Sequence, residues 1–70
     1  MEVAIKRNND IKQYHNVDRF VLNDLAQVVQ FDYIEEKDFV KRLALASILY
    51  QDIECLWVNN CKIALNRKEY

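Results

Sequence analysis

From Val21 to Tyr50 apolar residues recur at spacings of three and four. In "VDRFVLNDLAQVVQF" Val21, Leu22, Leu25, Ala26, Val28 and Val29 gather on one broad helical face, with Asn23, Asp24, Gln27 and Gln30 opposite. Asp18 or Asn23 is placed to cap its start. A second helical pattern follows in "DYIEEKDFVKRLALASILY". Phe39, Val40, Leu43, Ala44 and Ile48 make a stripe there, and Leu45 and Leu49 widen it. Asp32 with Glu35 has the spacing of a capping box, and Asp38 with Arg42 that of an i,i+4 ion pair. Two helices are predicted, joined tightly near Phe31–Tyr33; one long bent helix is the alternative.

The pattern changes at residues 57–65, "WVNNCKIAL". With Asn59-Asn60 as a two-residue turn, Val58 faces Cys61 and Leu56 faces Ile63. One face then reads Leu56, Val58, Cys61, Ile63 and Leu65. That face is apolar throughout, and the other, which carries Trp57 and Lys62, is mixed. One buried and one half-wet face is the signature of an antiparallel hairpin. Asn serves the positive-φ positions of a type I′ turn, although Asn-Gly is the preferred pair. Read as a helix, the same stretch has no clean polar side. At the other end of the chain, Val3 and Ile5 alternate ahead of Asn8-Asn9, which predicts a strand or a second hairpin.

The expected fold class is therefore α+β. Two consecutive helices precede a C-terminal β-hairpin in a winged-helix-like order, with an N-terminal strand or hairpin, in a single small domain spanning 1–70. Composition agrees with a globular chain: 51% of the 70 residues are hydrophobic. Gly and Pro are both absent, where average usage would supply roughly eight. Turns must consequently be read from Asn and Asp, the residues that best tolerate the left-handed region after Gly. An AT-rich coding sequence, common in phages and mobile elements, also enriches Asn, Lys, Ile and Tyr.

Charge is balanced overall at −1 but unevenly spread. Lys37 stands against Asp24, Asp32, Glu35, Glu36 and Asp38 in the middle of the chain, while Lys62, Arg67 and Lys68 make a basic end. The longest mainly apolar stretch, "LALASILY", falls far short of the roughly 20 residues a membrane helix needs. The N-terminus lacks the apolar core of a signal peptide. Two cysteines without an export signal suggest free thiols and a cytoplasmic setting.

Catalytic constellations do not assemble from this sequence. Without Gly there is neither a phosphate-cradling loop nor a nucleophile elbow. His15, the single histidine, reads as a surface or capping residue. Ser47 lies on the second predicted helix, where its hydroxyl would bond a backbone carbonyl. Cys55 and Cys61 fall on opposite faces of the hairpin, and with one His they fall short of a structural zinc set. Glu35, Glu36 and Asp38 suit the start of a helix dipole. The reading is a protein that is not an enzyme and needs no cofactor or metal.

The stretches "RFVLNDLAQVV", "FVKRLALA" and "LWVNNCKIALNRKEY" together resemble the small winged-helix DNA-binding proteins of the excisionase type, related to MerR-like domains, over residues 19–70. The resemblance implies a second helix in the major groove and a wing on the backbone. It would place Lys37, Lys41 and Arg42 on DNA, with Asn59, Asn60, Lys62, Arg67 and Lys68 as the wing contact. The first expectation is thus a non-catalytic binder of double-stranded DNA from a phage or mobile element, acting in recombination or transcription control. The second, of another class, is a protein-interaction module: a phage-type inhibitor of a host enzyme, an anti-defence protein or one subunit of a homodimer. It would bind through the acidic residues Asp24, Asp32, Glu35, Glu36 and Asp38. Acidic groups pair with a basic groove and oppose phosphates, so this second reading accounts for the middle of the chain better.

Overall fold

A computed structural model describes residues 1–68. The described residues form seven β-strands: β1 (Val3–Arg7), β2 (Asp10–Tyr14), β3 (Asp18–Asn23), β4 (Val28–Lys37), β5 (Val40–Leu49), β6 (Cys55–Val58) and β7 (Cys61–Ile63). A single 3₁₀ turn, Tyr50–Asp52, joins β5 to β6. One antiparallel sheet runs β2-β1-β6-β7 and the other β3-β4-β5.

The two expected helices are not present, and the winged-helix order fails with them. Residues 18–23, 28–37 and 40–49 are strands. Asp32 and Glu35 lie within β4 rather than in a capping box, and Asp38 is a turn residue. What reads as a helical stripe in "LALASIL" is a period of two. Ala44, Ala46 and Ile48 share one face of β5, and Leu43, Leu45 and Leu49 share the other. Leu and Ala are strong helix formers, and cross-strand packing overrides that preference here. The small residues point inward because their β4 partners are large: Phe31 lies opposite Ala46 and Tyr33 opposite Ala44.

The hairpin around Asn59-Asn60 is present, with Val58 opposite Cys61, Trp57 opposite Lys62 and Leu56 opposite Ile63. Asn8-Asn9 closes a second one between β1 and β2. Both pairs hold positive φ at both positions: 51° and 67° for Asn8 and Asn9, 49° and 66° for Asn59 and Asn60. These are type I′ turns, whose twist matches that of the flanking strands. Cys55 and Cys61 are free thiols. No helix among the described residues is long and apolar enough to cross a membrane.

The core lies between the two sheets. β1 contributes Val3 and Ile5, β6 contributes Leu56, and from the other sheet come Val29, Phe31 and Ile48. Tyr14 sits between Phe31 and Tyr33, edge-on to each at 4.9 Å between ring centroids. Phe20 stacks on Phe31 at 6.0 Å. Where the chain passes between sheets, backbone bonds replace the ladder: Met1 and Val17 exchange N–H···O=C bonds at 2.9 and 3.0 Å. The C-terminal segment is tied down by polar contacts. The Arg67 guanidinium donates to the carbonyls of Tyr50 and Ile53, and the Lys68 N–H donates to Gln27 Oε1 at 2.9 Å.

Tyr50 anchors that corner. It is 1% exposed, and its hydroxyl donates to Asp24 Oδ1 at 2.7 Å. Burial, then the Asp24 carboxylate, push its pKa up to about 12. An acid whose folded pKa exceeds its unfolded value of about 10 holds its proton longer in the native state. Its stabilising contribution is whole below pH 10 and is lost as pH rises toward 12. Burial raises Tyr14 in the same direction. Chemical denaturation followed between pH 8 and 12 should show stability falling across that window. Tyr50→Phe should flatten the fall while costing about 1 kcal/mol at pH 8, the scale of one hydrogen bond.

Candidate interaction surface

The strands of the β4–β5 hairpin have ten residues each, about 33 Å at ordinary strand rise. Only the half near Val28 and Leu49 is covered by the other sheet. Burial falls away after Ile34 on β4 and before Ala44 on β5. The distal half ends in the two-residue turn Asp38-Phe39, closed by Lys37 opposite Val40. Its φ values, 53° and 65°, make it a third type I′ turn. Asp tolerates that region; Phe does so poorly, since its Cβ crowds the following carbonyl. The Phe39 ring is fully exposed and recovers none of this cost by packing. Beside it Val40 is 61% exposed, Leu43 65% and Leu45 77%.

The charged residues of this arm alternate rather than collect. Glu35 lies opposite Arg42 and Glu36 opposite Lys41. Glu35 and Arg42 form an exposed ion pair at 3.9 Å, and Asp32 pairs with Arg19 on β3 at 3.6 Å. An exposed pair such as Glu35–Arg42 contributes about 0–1 kcal/mol, so it neutralises the surface more than it holds it together. The acidic group expected as one binding face is therefore divided. Asp32 and Glu36 share a face, Glu35 takes the opposite one, Asp38 is at the tip, and Asp24 is bound to Tyr50 at the far end of β4.

The group expected on DNA is likewise spread over both sheets. Lys37, Lys41 and Arg42 lie on the distal arm, interleaved with carboxylates. Asn59 and Asn60 form the β6–β7 turn, where Asn59 Oδ1 accepts the Glu2 N–H at 2.9 Å. Lys62 is on β7 opposite Trp57. Arg67 holds the carbonyls of Tyr50 and Ile53, and Lys68 Nζ donates to the Leu25 carbonyl at 3.2 Å. The last two residues of the stretch compared with a wing lie outside the described residues. With no recognition helix, the geometry that assigned these side chains to grooves is gone.

Phe39, Val40, Leu43 and Leu45 were not singled out as surface residues by the sequence, because a helical reading turns most of them inward. The signal that identifies them is the Leu-Ala-Leu-Ala alternation, once Asp38-Phe39 is recognised as a turn. Comparison with known protein families, curated proteins and solved structures returned no match.

Strain at the tip is open to direct measurement. Phe39→Gly deletes an apolar side chain that packs against nothing and supplies the residue a type I′ turn prefers. It should stabilise the fold by about 1 kcal/mol, read as a higher denaturation midpoint at unchanged slope.

Proposed function

We propose that the chain is a protein-interaction module that acts by binding rather than by catalysis, and that its working surface is the distal half of the β4–β5 hairpin. The observation that carries this reading is Phe39, fully exposed and held at positive φ at the end of an arm that also exposes Val40, Leu43 and Leu45. Strained residues persist where the surrounding structure enforces them, and they cluster at binding sites. An exposed aromatic with exposed aliphatic residues on the same arm is the composition of an interface anchor, and the mixed charges around it form a polar rim. The apolar row also supports this reading over nucleic-acid binding, which draws on a cation excess that the neutralised arm does not have. Two free thiols fit a reducing compartment, which we take to be the cytoplasm.

A photo-crosslinking phenylalanine analogue at position 39 tests the reading in cells that make the protein. We expect discrete protein adducts from position 39 and none from the same analogue at Lys12, on the short edge strand β2. Equal or absent labelling at the two positions would sink it. So would salt-sensitive binding of the purified protein to duplex DNA that is lost in Lys41→Ala/Arg42→Ala.

A further inference from the structure

Four strands form the edges of the two sheets: β2 and β7 in one, β3 and β5 in the other. An edge strand presents unpaired N–H and C=O groups, and soluble proteins usually shorten, bend or charge it. β7 has three residues and β2 has five. β3 has six, with its register broken between Asp18 and Val21. β5 differs from all three. It has ten residues in unbroken register with β4, and from Leu43 to Ser47 it carries no charge.

The ladder indicates which groups of β5 face outward. A two-residue type I′ turn is closed by a hydrogen-bonded pair, here Lys37 and Val40, and such pairs then alternate along the strands. Arg42, Ala44, Ala46 and Ile48 are thereby the residues bonded to β4. The Tyr50 N–H, which donates to the Gln27 carbonyl at 2.8 Å beyond the strand end, continues the same phase. Lys41, Leu43, Leu45 and Ser47 turn their backbone groups away from β4. Among the described residues, no backbone bond from outside the sheet reaches them.

We propose that this edge pairs with β5 of a second copy of the chain, antiparallel, about a two-fold axis at Ala44, so that two three-stranded sheets become one of six strands. The proposal rests on the interaction reading above and names the partner. Self-complementarity and strand length together select the register, since a two-fold at Ala46 or Ser47 would set Arg42 or Ala44 against the partner's Tyr50, past the end of β5 at Leu49. A two-fold axis normal to the sheet must fall at a residue that opposes itself. Placed at Lys41 or Arg42, it sets like charges face to face, which is unfavourable. At Leu43 it sets Lys41 against the partner's Leu45, and at Leu45 it sets Arg42 against the partner's Ile48. At Ala44 it pairs Leu43 with the partner's Leu45 on one face, and Lys41 and Arg42 meet the partner's Ser47 and Ala46. Ala44 then opposes the partner's Ala44 in the closely spaced, non-hydrogen-bonded kind of pair, which suits a small side chain. Glu35 and Glu36 beside Arg42 and Lys41 leave the two arms without a repulsive field.

Pairing of one strand edge is a small interface, so the dimer should form in a concentration-dependent way. Sedimentation equilibrium of the full chain from about 1 μM to 1 mM should show a monomer–dimer equilibrium, within the range where weak interfaces sit. Leu45→Pro removes one outward N–H and no β4 bond, so it should abolish the dimer while leaving the circular dichroism of the parent. Leu45→Lys provides the same test without altering the backbone. In a Cys55→Ser/Cys61→Ser background, Ala44→Cys should oxidise to a disulfide-linked dimer, because the closely spaced pair meets disulfide geometry. Leu43→Cys should cross-link at least about tenfold less, since it opposes residue 45. A monomer at every concentration, equal cross-linking at 43 and 44, or a dimer unaffected by both Leu45 variants overturns the proposal. A monomer that still labels a different protein from position 39 removes this dimer and leaves the interaction reading standing.

Discussion

Three turns set this fold, and each needs two consecutive residues in the left-handed region. The chain has no glycine to place there. It uses Asn8-Asn9, Asn59-Asn60 and Asp38-Phe39, all at positive φ. A two-residue turn fixes register, and a slip of one residue moves every side chain to the other face. With Asn8-Asn9 in place, Val3 and Ile5 face the core; with Asn59-Asn60 in place, Leu56 does. Asp38-Phe39 does the same for Val29, Phe31 and Ile48. Without side chains that tolerate this backbone, each placement would cost about 1–2 kcal/mol per residue, a large share of the stability of a domain this small.

Turn geometry also determines how the core is filled. β4 brings Phe31 and Tyr33 to its inner face, and register sets Ala46 and Ala44 opposite them. Large against small lets the aromatic rings of Phe20, Tyr14, Phe31 and Tyr33 pack edge to face or offset across the gap between the sheets. The aliphatic bulk of β5 is displaced to the other face, where Leu43 and Leu45 meet solvent. The exposed row on the arm is thus linked to the way the core is built, and it stands on the same strand that leaves an edge unpaired.

The ends of the chain were legible in the sequence and the middle was not. Around Asn59-Asn60 the alternation is strict and the turn residues are polar, so local pattern and tertiary structure point the same way. Between Val21 and Leu49 they diverge. Leu25 and Ala26, good helix formers, sit in the loop before β4, where Asn23 Oδ1 accepts the Ala26 N–H at 2.9 Å. Gln27 carries a φ of 59° and Phe39 one of 65°, and neither residue type signals a turn. The inward alanines of β5 invert the usual contrast between bulky core and smaller surface positions. The charge imbalance was legible as composition but not as a surface, because cross-strand pairing sets Glu35 against Arg42 and Glu36 against Lys41. The residues of the arm could be located only after its turn was known.

Elsewhere the molecule follows the rules that keep small β proteins folded and apart. The β1–β2 and β6–β7 turns are made by Asn, edges are short or bulged, and the C-terminal segment is held through Arg67 and Lys68. Two departures from those rules fall on a single element. The β4–β5 hairpin carries a fully exposed Phe in a left-handed turn, and its outer strand carries a long unpaired edge that is uncharged from Leu43 to Ser47. Neither departure stabilises an isolated chain: the first strains the backbone and the second invites association. Core packing accounts for the alanines of β5 but requires neither Phe39 nor leucine at positions 43 and 45, because a polar side chain at those sites would leave every buried contact intact. Residues that the fold does not need are gathered on the element least protected from association, and that is the physical ground for proposing the arm, rather than the better-packed body that supports it, as the working surface.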